Sequence, residues 1–305
     1  MSGTVSYSGT MSARLLLVHA HPDDETIGSG ATMAKYVAEG AHVTLVTCTL
    51  GDEGEILLPG LAHLAASQTD GLANHRYEEL GLAMVALGVT DWRILGGRGA
   101  YRDSGMMGTE PNKRPDTFWQ ADLLEAAKHL VAIIREVKPQ VLVTYDDFGG
   151  YGHPDHIKAH QVAMYAMTLA QAASFAPELG DPWEVSKVYW TAFPLSVIRA
   201  GVEMLKSMGD QTDFTAQDVE DMDFGCPDEY ITTSIQANEY AEQKVAAMRA
   251  HATQINTEEG FFALSNNFGA QVMGTEYFRL VKGQAAGPFD EQGWETDIFA
   301  GVVDA

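Results

Sequence analysis

Short apolar segments alternate with amphipathic ones over the first half of the chain. Four segments carry hydrophobic residues without polar alternation, which is typical of strands buried on both faces of a sheet. These strands are predicted over 14–20, 42–50, 92–95 and 139–145. Helical periodicity connects them, and the predicted helices cover 29–39, 71–88, 118–137 and 154–173. The alternation predicts an α/β fold with a mainly parallel, doubly wound, Rossmann-like sheet.

The hydrophobic pattern is looser in the second half of the chain. The predicted strands cover 186–193 and 275–282, the predicted helices cover 195–208 and 237–252, and an acidic stretch lies at 210–229. No clear linker separates the two halves. We therefore expect a catalytic core at 14–174 and a smaller C-terminal lobe at 175–305, which packs on the core and walls its site.

Two polar motifs follow predicted strands that we expect to be neighbours. HPDDE begins at His21, directly after the first strand, and YGHPDH begins at Tyr151, after the fourth. The strand order 3-2-1-4, common in doubly wound sheets, places strands one and four side by side, and ligands bind outside their carboxyl ends. Both motifs are therefore expected to face one cleft.

Three histidines and four carboxylates come together if the two motifs meet. Unpaired carboxylates are costly to bury, so a bound cation is the simplest explanation for such a set. We predict that His21, Asp24 and His156 hold the cation, because two histidines and one aspartate leave a coordination position open for catalysis. Asp23 then lies beside the metal, where it can take a proton from bound water, and His153 is free for chemistry.

Each motif alone has a plainer interpretation. An aspartate after a strand commonly caps a helix, but two such motifs at two strand ends favour the metal site. A nucleotide-binding loop is disfavoured, because no GxGxxG motif follows the first strand and the Gly28-Ser29-Gly30 segment comes after acidic residues. A metal-binding protein without catalysis would not need the additional Asp23 and His153.

Charge and cysteine content narrow the partners. The chain has 42 acidic and 19 basic residues, a formal charge of −23, which argues against nucleic acid and anionic membranes as partners. Two cysteines cannot form a four-cysteine zinc site, and we expect Cys48 to be buried.

His19 is expected to be a hydrogen-bonded core histidine, whereas His251 has no partner pattern. Without a bilayer-length apolar segment or a secretory signal, a cytoplasmic enzyme is expected, with a homo-oligomer as one option.

Two motifs and several further blocks resemble a known family. HAHPDDE at 19–25 and GGYGHPDH at 149–156 are similar to motifs of the zinc-dependent N-acetylglucosaminyl deacetylases, which include the deacetylase of glycosyl-phosphatidylinositol synthesis and bacterial mycothiol enzymes. Further similar blocks are VTCTLGDEGEI (46–56), YRDSGMMGT (101–109), RAHATQI (249–255), ALSNN (263–267) and GWETDIFAG (293–301). The resemblance extends over nearly the whole chain and is strongest to the mycothiol-pathway members.

The resemblance implies a cofactor and a base. It implies zinc on His21, Asp24 and His156, in agreement with the choice made from the residues alone. An open site of two histidines and one carboxylate also suits Fe²⁺. The resemblance further implies Asp23 as the general base.

The resemblance also implies roles for the remaining polar residues. His153 would be a positively charged partner that is oriented by Asp155, and Tyr151 would lie at the oxyanion. Three further residues would contact substrate hydroxyls, namely Arg76, Asp103 and Glu55.

The implied activity is metal-dependent removal of acetyl from N-acetylglucosaminyl-inositol, a small amino-sugar substrate, in mycothiol biosynthesis. The alternative is the related amidase that cleaves mycothiol S-conjugates, or another N-acylglucosamine deacetylase of the family. The RDSGM block at 102–106 favours the deacetylase.

Overall fold

A computed structural model describes residues 13–207, 225–257 and 274–302 of the chain. The ALSNN block at 263–267 and most of the acidic stretch at 210–229 lie outside these ranges. Over the described residues, no helix combines the length and the apolar character that crossing a bilayer requires.

A seven-stranded sheet forms the centre of the fold. Its strands are β1 (Arg14–His19), β2 (His42–Thr47), β3 (Asp91–Ile94), β4 (Val141–Thr144), β5 (Lys187–Ala192), β6 (Thr233–Gln236) and β7 (Thr275–Lys282). The order is β3-β2-β1-β4-β5-β7-β6. Strands β1 to β5 pair in parallel, whereas β7 pairs antiparallel with both β5 and β6. The sheet is therefore mainly parallel, as predicted.

Helices connect the strands and cover the sheet. The longer helices are α1 (Asp24–Ala38), α2 (Leu72–Leu87), α3 (Leu123–Val137), α4 (Pro154–Ala170), α5 (Leu195–Ser207) and α6 (Ala241–Ala250). Their ends follow local chemistry: the Asp122 carboxylate caps α3 by accepting from the Glu125 N–H, and Gly88 ends α2 in the left-handed conformation.

The hydrophobic core has two layers, one on each face of the sheet. Successive residues of β1 point to opposite faces, so Leu15 and Leu17 pack with residues of α1, α2 and α6. Leu16 and Val18 pack on the other face with residues of α3 and α4. The sheet is thus covered on both sides, which confirms the doubly wound arrangement.

The strand order 3-2-1-4 that the sequence predicts is confirmed. Two details differ. Helix α1 begins at Asp24 rather than near residue 29, because Asp24 and Glu25 occupy its first turn, where acidic side chains interact favourably with the helix dipole. The four-residue edge strand β6 was not predicted. Strands β5 to β7 extend the same sheet, and the division of the chain at residue 174 stays a prediction.

Candidate metal centre and active-site cavity

The carboxyl ends of β1 and β4 lie side by side. Leu17 of β1 pairs with Val143 of β4, so the segments that follow these strands leave the sheet as neighbours. The first motif leads into α1 and the second into α4. His21 and Asp155, 134 positions apart, are consequently within hydrogen-bond distance. The predicted meeting of the two motifs is what the structure shows.

Three potential ligand atoms form a nearly equilateral triangle. The His21 Nδ1 atom lies 3.3 Å from the Asp24 Oδ2 atom and 3.3 Å from the His156 Nε2 atom. The His156 Nε2 atom lies 3.4 Å from the Asp24 Oδ2 atom. Ligand atoms that are each about 2.0–2.1 Å from a tetrahedral ion lie roughly 3.4 Å from one another. The triangle therefore fits one shared cation and leaves a further coordination position for water or substrate.

The other ring nitrogen of each histidine is held by an acceptor. His21 Nε2 lies 3.2 Å from the Asp155 carboxylate, and His156 Nδ1 lies 3.1 Å from the Gly149 carbonyl oxygen. A hydrogen bond at the outer nitrogen fixes the tautomer and directs the inner lone pair toward a metal. The inner nitrogen of each histidine is thus free to bind a cation.

Burial and charge around the triangle favour a cation. Burial acts to lower the pKa of His21, but the carboxylates of Asp103, Asp155 and Asp24 outweigh it and hold that pKa well above its ordinary value. Burial likewise disfavours the charge on Asp24, yet the imidazoles of His156 and His21 hold the pKa of Asp24 well below its ordinary value. The site therefore stabilises positive charge among ionised carboxylates.

Within the described ranges, two other sets of side chains come close enough to share an ion. Ring nitrogens of His21, His153 and His156 lie within 4.8 Å of one another, and so do atoms of His21, Asp103 and Asp155. In the first set, however, the His153 Nδ1 atom already accepts a hydrogen bond from the Asp155 N–H. In the second, the Asp155 carboxylate accepts from the Ser104 N–H and hydroxyl. The triangle with Asp24 has three nearly equal distances, of 3.3, 3.3 and 3.4 Å.

The side chain of Asp155 does not contact His153, which it was expected to orient. Its carboxylate contacts His21 and Ser104, and it is the backbone N–H of Asp155 that donates to His153 Nδ1, at 3.1 Å. Asp155 is completely buried behind the cavity. The Asp155 carboxylate therefore orients His21, a histidine of the triangle. Asp155 contacts His153 only through its backbone N–H, because it lies in the first turn of α4, whose N-cap residue is His153.

Asp23 is held in a costly backbone conformation. Its φ of 121° is one that residues other than glycine rarely adopt. Its N–H donates to a Glu25 carboxylate oxygen at 2.9 Å, and its own carboxylate accepts from an Arg76 Nη2 atom at 3.1 Å. Burial raises the pKa of Asp23 to about 6, against the opposing charge of Arg76. A carboxyl group with that pKa can exchange a proton near neutral pH.

Glu25 is paired with a histidine from the far end of the chain. His251 Nε2 lies 2.8 Å from the Glu25 Oε1 atom, and both side chains are fully buried. The Thr26 hydroxyl donates to the same carboxylate oxygen. His251, which follows α6, therefore has a definite partner, although the sequence pattern indicated none. The only sequence signal for it is its place in the RAHATQI block.

His153 begins α4 as its N-cap residue. Because the Nδ1 atom accepts from the Asp155 N–H, the neutral ring carries its hydrogen on Nε2. Burial, followed by the neighbouring His21 and His156, lowers the pKa of His153 to about 3. The acceptor role of Nδ1 and the lowered pKa favour a neutral N–H donor over the positively charged His153 that the resemblance implies.

A glycine-rich turn at Gly149–Gly152 shapes the wall beside the triangle. Gly149 has a φ of 70°, and a Cβ atom there would lie 2.7 Å from the His156 Cβ atom, so only glycine fits where its carbonyl accepts from His156. The Tyr151 ring lies 4.9 Å from the His156 ring and is 40% exposed. Tyr151 is therefore placed at the cavity mouth, next to a proposed ligand.

A cavity of about 570 Å³ opens at the triangle. Nine of the ten predicted site residues line it, namely His21, Asp23, Asp24, Glu55, Arg76, Asp103, Tyr151, His153 and His156, and Asp155 lies behind them. Arg76 is buried and also donates to the Gly51 carbonyl at 3.0 Å, so its guanidinium is bound to the protein rather than free. Asp103 accepts from the N–H groups of Glu53 and Gly105.

The sequence did not identify several residues around the site. Tyr145 stacks on His156 with ring centres 4.3 Å apart, and its hydroxyl accepts from the Ala20 N–H. Trp190 of β5 and Arg279 of β7 also line the cavity. His19, by contrast, is the predicted core histidine, since its Nε2 atom lies 3.0 Å from the Ser29 hydroxyl. Cys48 is buried, as predicted.

Comparison with known proteins gives close relatives by sequence. A family model described as PIG-L, GlcNAc-PI de-N-acetylase, matches residues 16–167. A relative from Geodermatophilus obscurus, named 1D-myo-inositol 2-acetamido-2-deoxy-alpha-D-glucopyranoside deacetylase, is 59% identical over 294 residues, which cover 96% of this chain and 99% of the relative. The similarity therefore extends well beyond the two motifs.

Solved structures share the fold at low sequence identity. An N,N'-diacetylchitobiose deacetylase from Pyrococcus horikoshii superposes with a TM-score of 0.59 at 20% identity, covering 89% of this chain and 85% of that one. A 4-carboxy-2-hydroxymuconate hydratase from Pseudomonas putida has the same TM-score of 0.59 at 18% identity, covering 92% and 100%. Because proteins of different activity share it, the fold alone does not determine the reaction.

Proposed function

The chain belongs to the PIG-L family of GlcNAc-PI de-N-acetylases, and from this premise we propose that it hydrolyses the acetamide of 1D-myo-inositol 2-acetamido-2-deoxy-alpha-D-glucopyranoside. The products are acetate and the free amine of the glucosaminyl-inositol, the step expected in mycothiol biosynthesis. The observation that carries the proposal is the 59% identity, over nearly the full length of both chains, to a relative of that name.

The cofactor is proposed to be Zn²⁺, held by His21, Asp24 and His156. The triangle of their ligand atoms, with outer nitrogens held by Asp155 and Gly149, supports this set. Bound there, the ion would polarise the acetamide carbonyl and lower the pKa of water. Two imidazoles and one carboxylate also suit Fe²⁺, so metal content in cells decides between the two.

Asp23 is proposed as the base and then the acid. It takes a proton from the attacking water while the water oxygen bonds to the acetyl carbon. It returns that proton to the nitrogen as the C–N bond breaks, which balances the proton over the reaction. A pKa of about 6 and the position beside Asp24 support both transfers.

His153 and Tyr151 are proposed to stabilise the oxyanion. The neutral His153 ring has a hydrogen on Nε2, because its Nδ1 atom is occupied by the Asp155 N–H. A fixed N–H donor at a developing oxyanion is effective without carrying a full charge. The Tyr151 hydroxyl is a second donor at the cavity mouth.

The substrate sugar is proposed to lie against Asp103 and Glu55, with Arg76 behind them. Asp103 and Glu55 line the cavity, and their carboxylate oxygens can accept hydrogen bonds from sugar hydroxyl groups. Arg76 is bound to the Asp23 carboxylate, so its role is to orient the base as well as to line the cavity. A cytoplasmic location without a nucleic-acid or membrane partner stays a prediction.

A substrate panel tests the proposal. Amine release is measured on N-acetylglucosaminyl-inositol, N-acetylglucosamine and a mycothiol S-conjugate, with the Zn²⁺-loaded protein. We expect the highest kcat/KM on N-acetylglucosaminyl-inositol. Preference for the conjugate would instead favour the amidase, and absence of amine release from all three would reject the proposal.

A further inference from the structure

The side of the cavity formed by β5 and β7 has a different chemistry from the metal side. It is lined by Trp190, Phe193, Cys226, Pro227, Tyr230 and Arg279. Trp190 and Arg279 are directly paired across the two antiparallel strands, so their side chains share one face of the sheet. This surface, which we call the β5–β7 subsite, is part of the same cavity as the metal triangle.

Aromatic rings hold Arg279 in place. Its guanidinium carbon lies 4.9 Å from the centre of the Tyr230 ring and 5.4 Å from that of Trp190. Both distances are within the range in which a guanidinium is attracted to an aromatic face. The rings limit the motion of the side chain and leave its N–H donors without a partner among the residues that the structure describes.

The two arginines that line the cavity differ in their partners. Arg76 donates to the Asp23 carboxylate and to two backbone carbonyls. Arg279 makes no ion pair and no side-chain hydrogen bond with any residue in the described parts of the chain, although the cavity contains several carboxylates. A partly buried guanidinium with unused donors is suited to ligand oxygens.

We propose that Arg279 in the β5–β7 subsite binds adjacent hydroxyl oxygens of the polyol ring attached to the amino sugar. The inference rests on the proposed function, which places the acetamide at the metal triangle. A cavity of about 570 Å³ that reaches from the triangle to Arg279 extends beyond the reacting acetamide. Two oxygens on neighbouring ring carbons match the forked donors of a guanidinium, and stacking on Tyr230 and Trp190 reduces the entropy lost on binding.

The experiment compares substrates with and without the polyol ring. Steady-state kinetics are measured for the Zn²⁺-loaded wild type, Arg279→Met and Arg279→Lys on N-acetylglucosaminyl-inositol and on N-acetylglucosamine. The matched control is Arg98→Met, because Arg98 also lies over an aromatic ring, Tyr77, but is exposed outside the cavity.

The expected result is a loss confined to the substrate with the polyol ring. Arg279→Met lowers kcat/KM on N-acetylglucosaminyl-inositol by about 10- to 100-fold, the effect of losing hydrogen bonds to a charged group, and lowers it on N-acetylglucosamine less than about 3-fold. Arg279→Lys keeps the charge but loses the fork, so it shows an intermediate loss. Arg98→Met matches the wild type on both substrates.

Other outcomes overturn the inference in distinguishable ways. If kcat/KM falls equally on both substrates, Arg279 acts in the fold or in the chemistry rather than in recognition. If Arg279→Met or Arg279→Lys keeps the wild-type ratio of kcat/KM between the two substrates, Arg279 does not recognise the polyol ring. If Arg279→Met does not fold, Arg279→Lys alone decides between these results. A wild type that hydrolyses neither substrate overturns the proposed function and this inference together.

Discussion

The metal side of the cavity and the β5–β7 subsite are built in opposite ways. On the metal side, three groups proposed for the chemistry are held by other groups of the protein: His21 by Asp155, His156 by Gly149, and Asp23 by Arg76. In the β5–β7 subsite, Arg279 is held only by aromatic faces in the described part of the chain. The side chains of the first region are therefore fixed before substrate binds. In the second region, the N–H donors of Arg279 have no partner among the described residues.

This difference separates chemistry from recognition. Reacting groups must be held close to their productive geometry, so their hydrogen bonds are made before substrate arrives. A recognition group contributes most when its hydrogen bonds are completed by the ligand alone. Changes on the metal side are therefore expected to lower kcat, whereas changes at Arg279 act on selectivity between substrates.

The largest effect is expected at Asp23. Asp23→Asn removes the proton acceptor while keeping the shape of the side chain, so kcat falls by about 10²- to 10⁴-fold. Zinc content, measured by atomic emission, stays at the wild-type level because Asp23 is not a proposed ligand. Wild-type turnover in this variant would remove Asp23 from the chemistry.

His153 should have the next largest effect. His153→Ala removes the Nε2 donor at the proposed oxyanion, and kcat falls by about 10²- to 10³-fold. The control is His153→Gln, whose amide N–H is expected to restore part of the rate. An unchanged kcat in His153→Ala, with the metal bound, would contradict the assignment.

A smaller effect on kcat is expected at Glu25, which contacts the base Asp23 rather than the substrate. Glu25 bonds to the backbone N–H of Asp23 and has no direct contact with substrate in this account. Glu25→Gln weakens that bond, and kcat falls by about tenfold, with KM and the pH dependence of kcat kept close to wild type. Asp122→Asn is the matched control, because Asp122 also accepts from a backbone N–H at a helix start but lies away from the cavity. Equal rates in Glu25→Gln and the wild type would show that Asp23 is positioned without Glu25.

The smallest effect concerns stability. Burial acts against the charge on His251, but the Glu25 carboxylate outweighs it and raises the pKa of His251 above its usual 6.5. The charged pair therefore contributes fully below pH 6.5, and the contribution is lost as the pH rises through the raised pKa. The difference in unfolding free energy between the wild type and His251→Gln should decrease by about 1.4 kcal/mol for each unit by which the pKa of His251 is raised. Urea unfolding of both metal-loaded proteins from pH 5.5 to 9 measures this, and a pH-independent difference would contradict it.

The sequence predicts the metal side better than the rest of the molecule. The meeting of His21, Asp24 and His156 was predictable, because the order of the strands alone brings the two strand ends together. The His251–Glu25 pair was not, since its members are 226 positions apart and His251 follows a helix in the loosely patterned half. Arg279 was missed for a similar reason: its position depends on the antiparallel pairing of β7 with β5. The role of the Asp155 carboxylate was also not predictable, because its contact with Ser104 depends on a loop.

The central claim is that the two strand-end motifs form one site with three protein ligands. Calorimetric titration of Zn²⁺ into chelator-stripped protein tests it directly, with the wild type compared with His156→Ala and His153→Ala. The account predicts one tight site in the wild type, an affinity at least about 100-fold weaker in His156→Ala, and near wild-type affinity in His153→Ala. Equal zinc affinity in the wild type and His156→Ala would contradict the account.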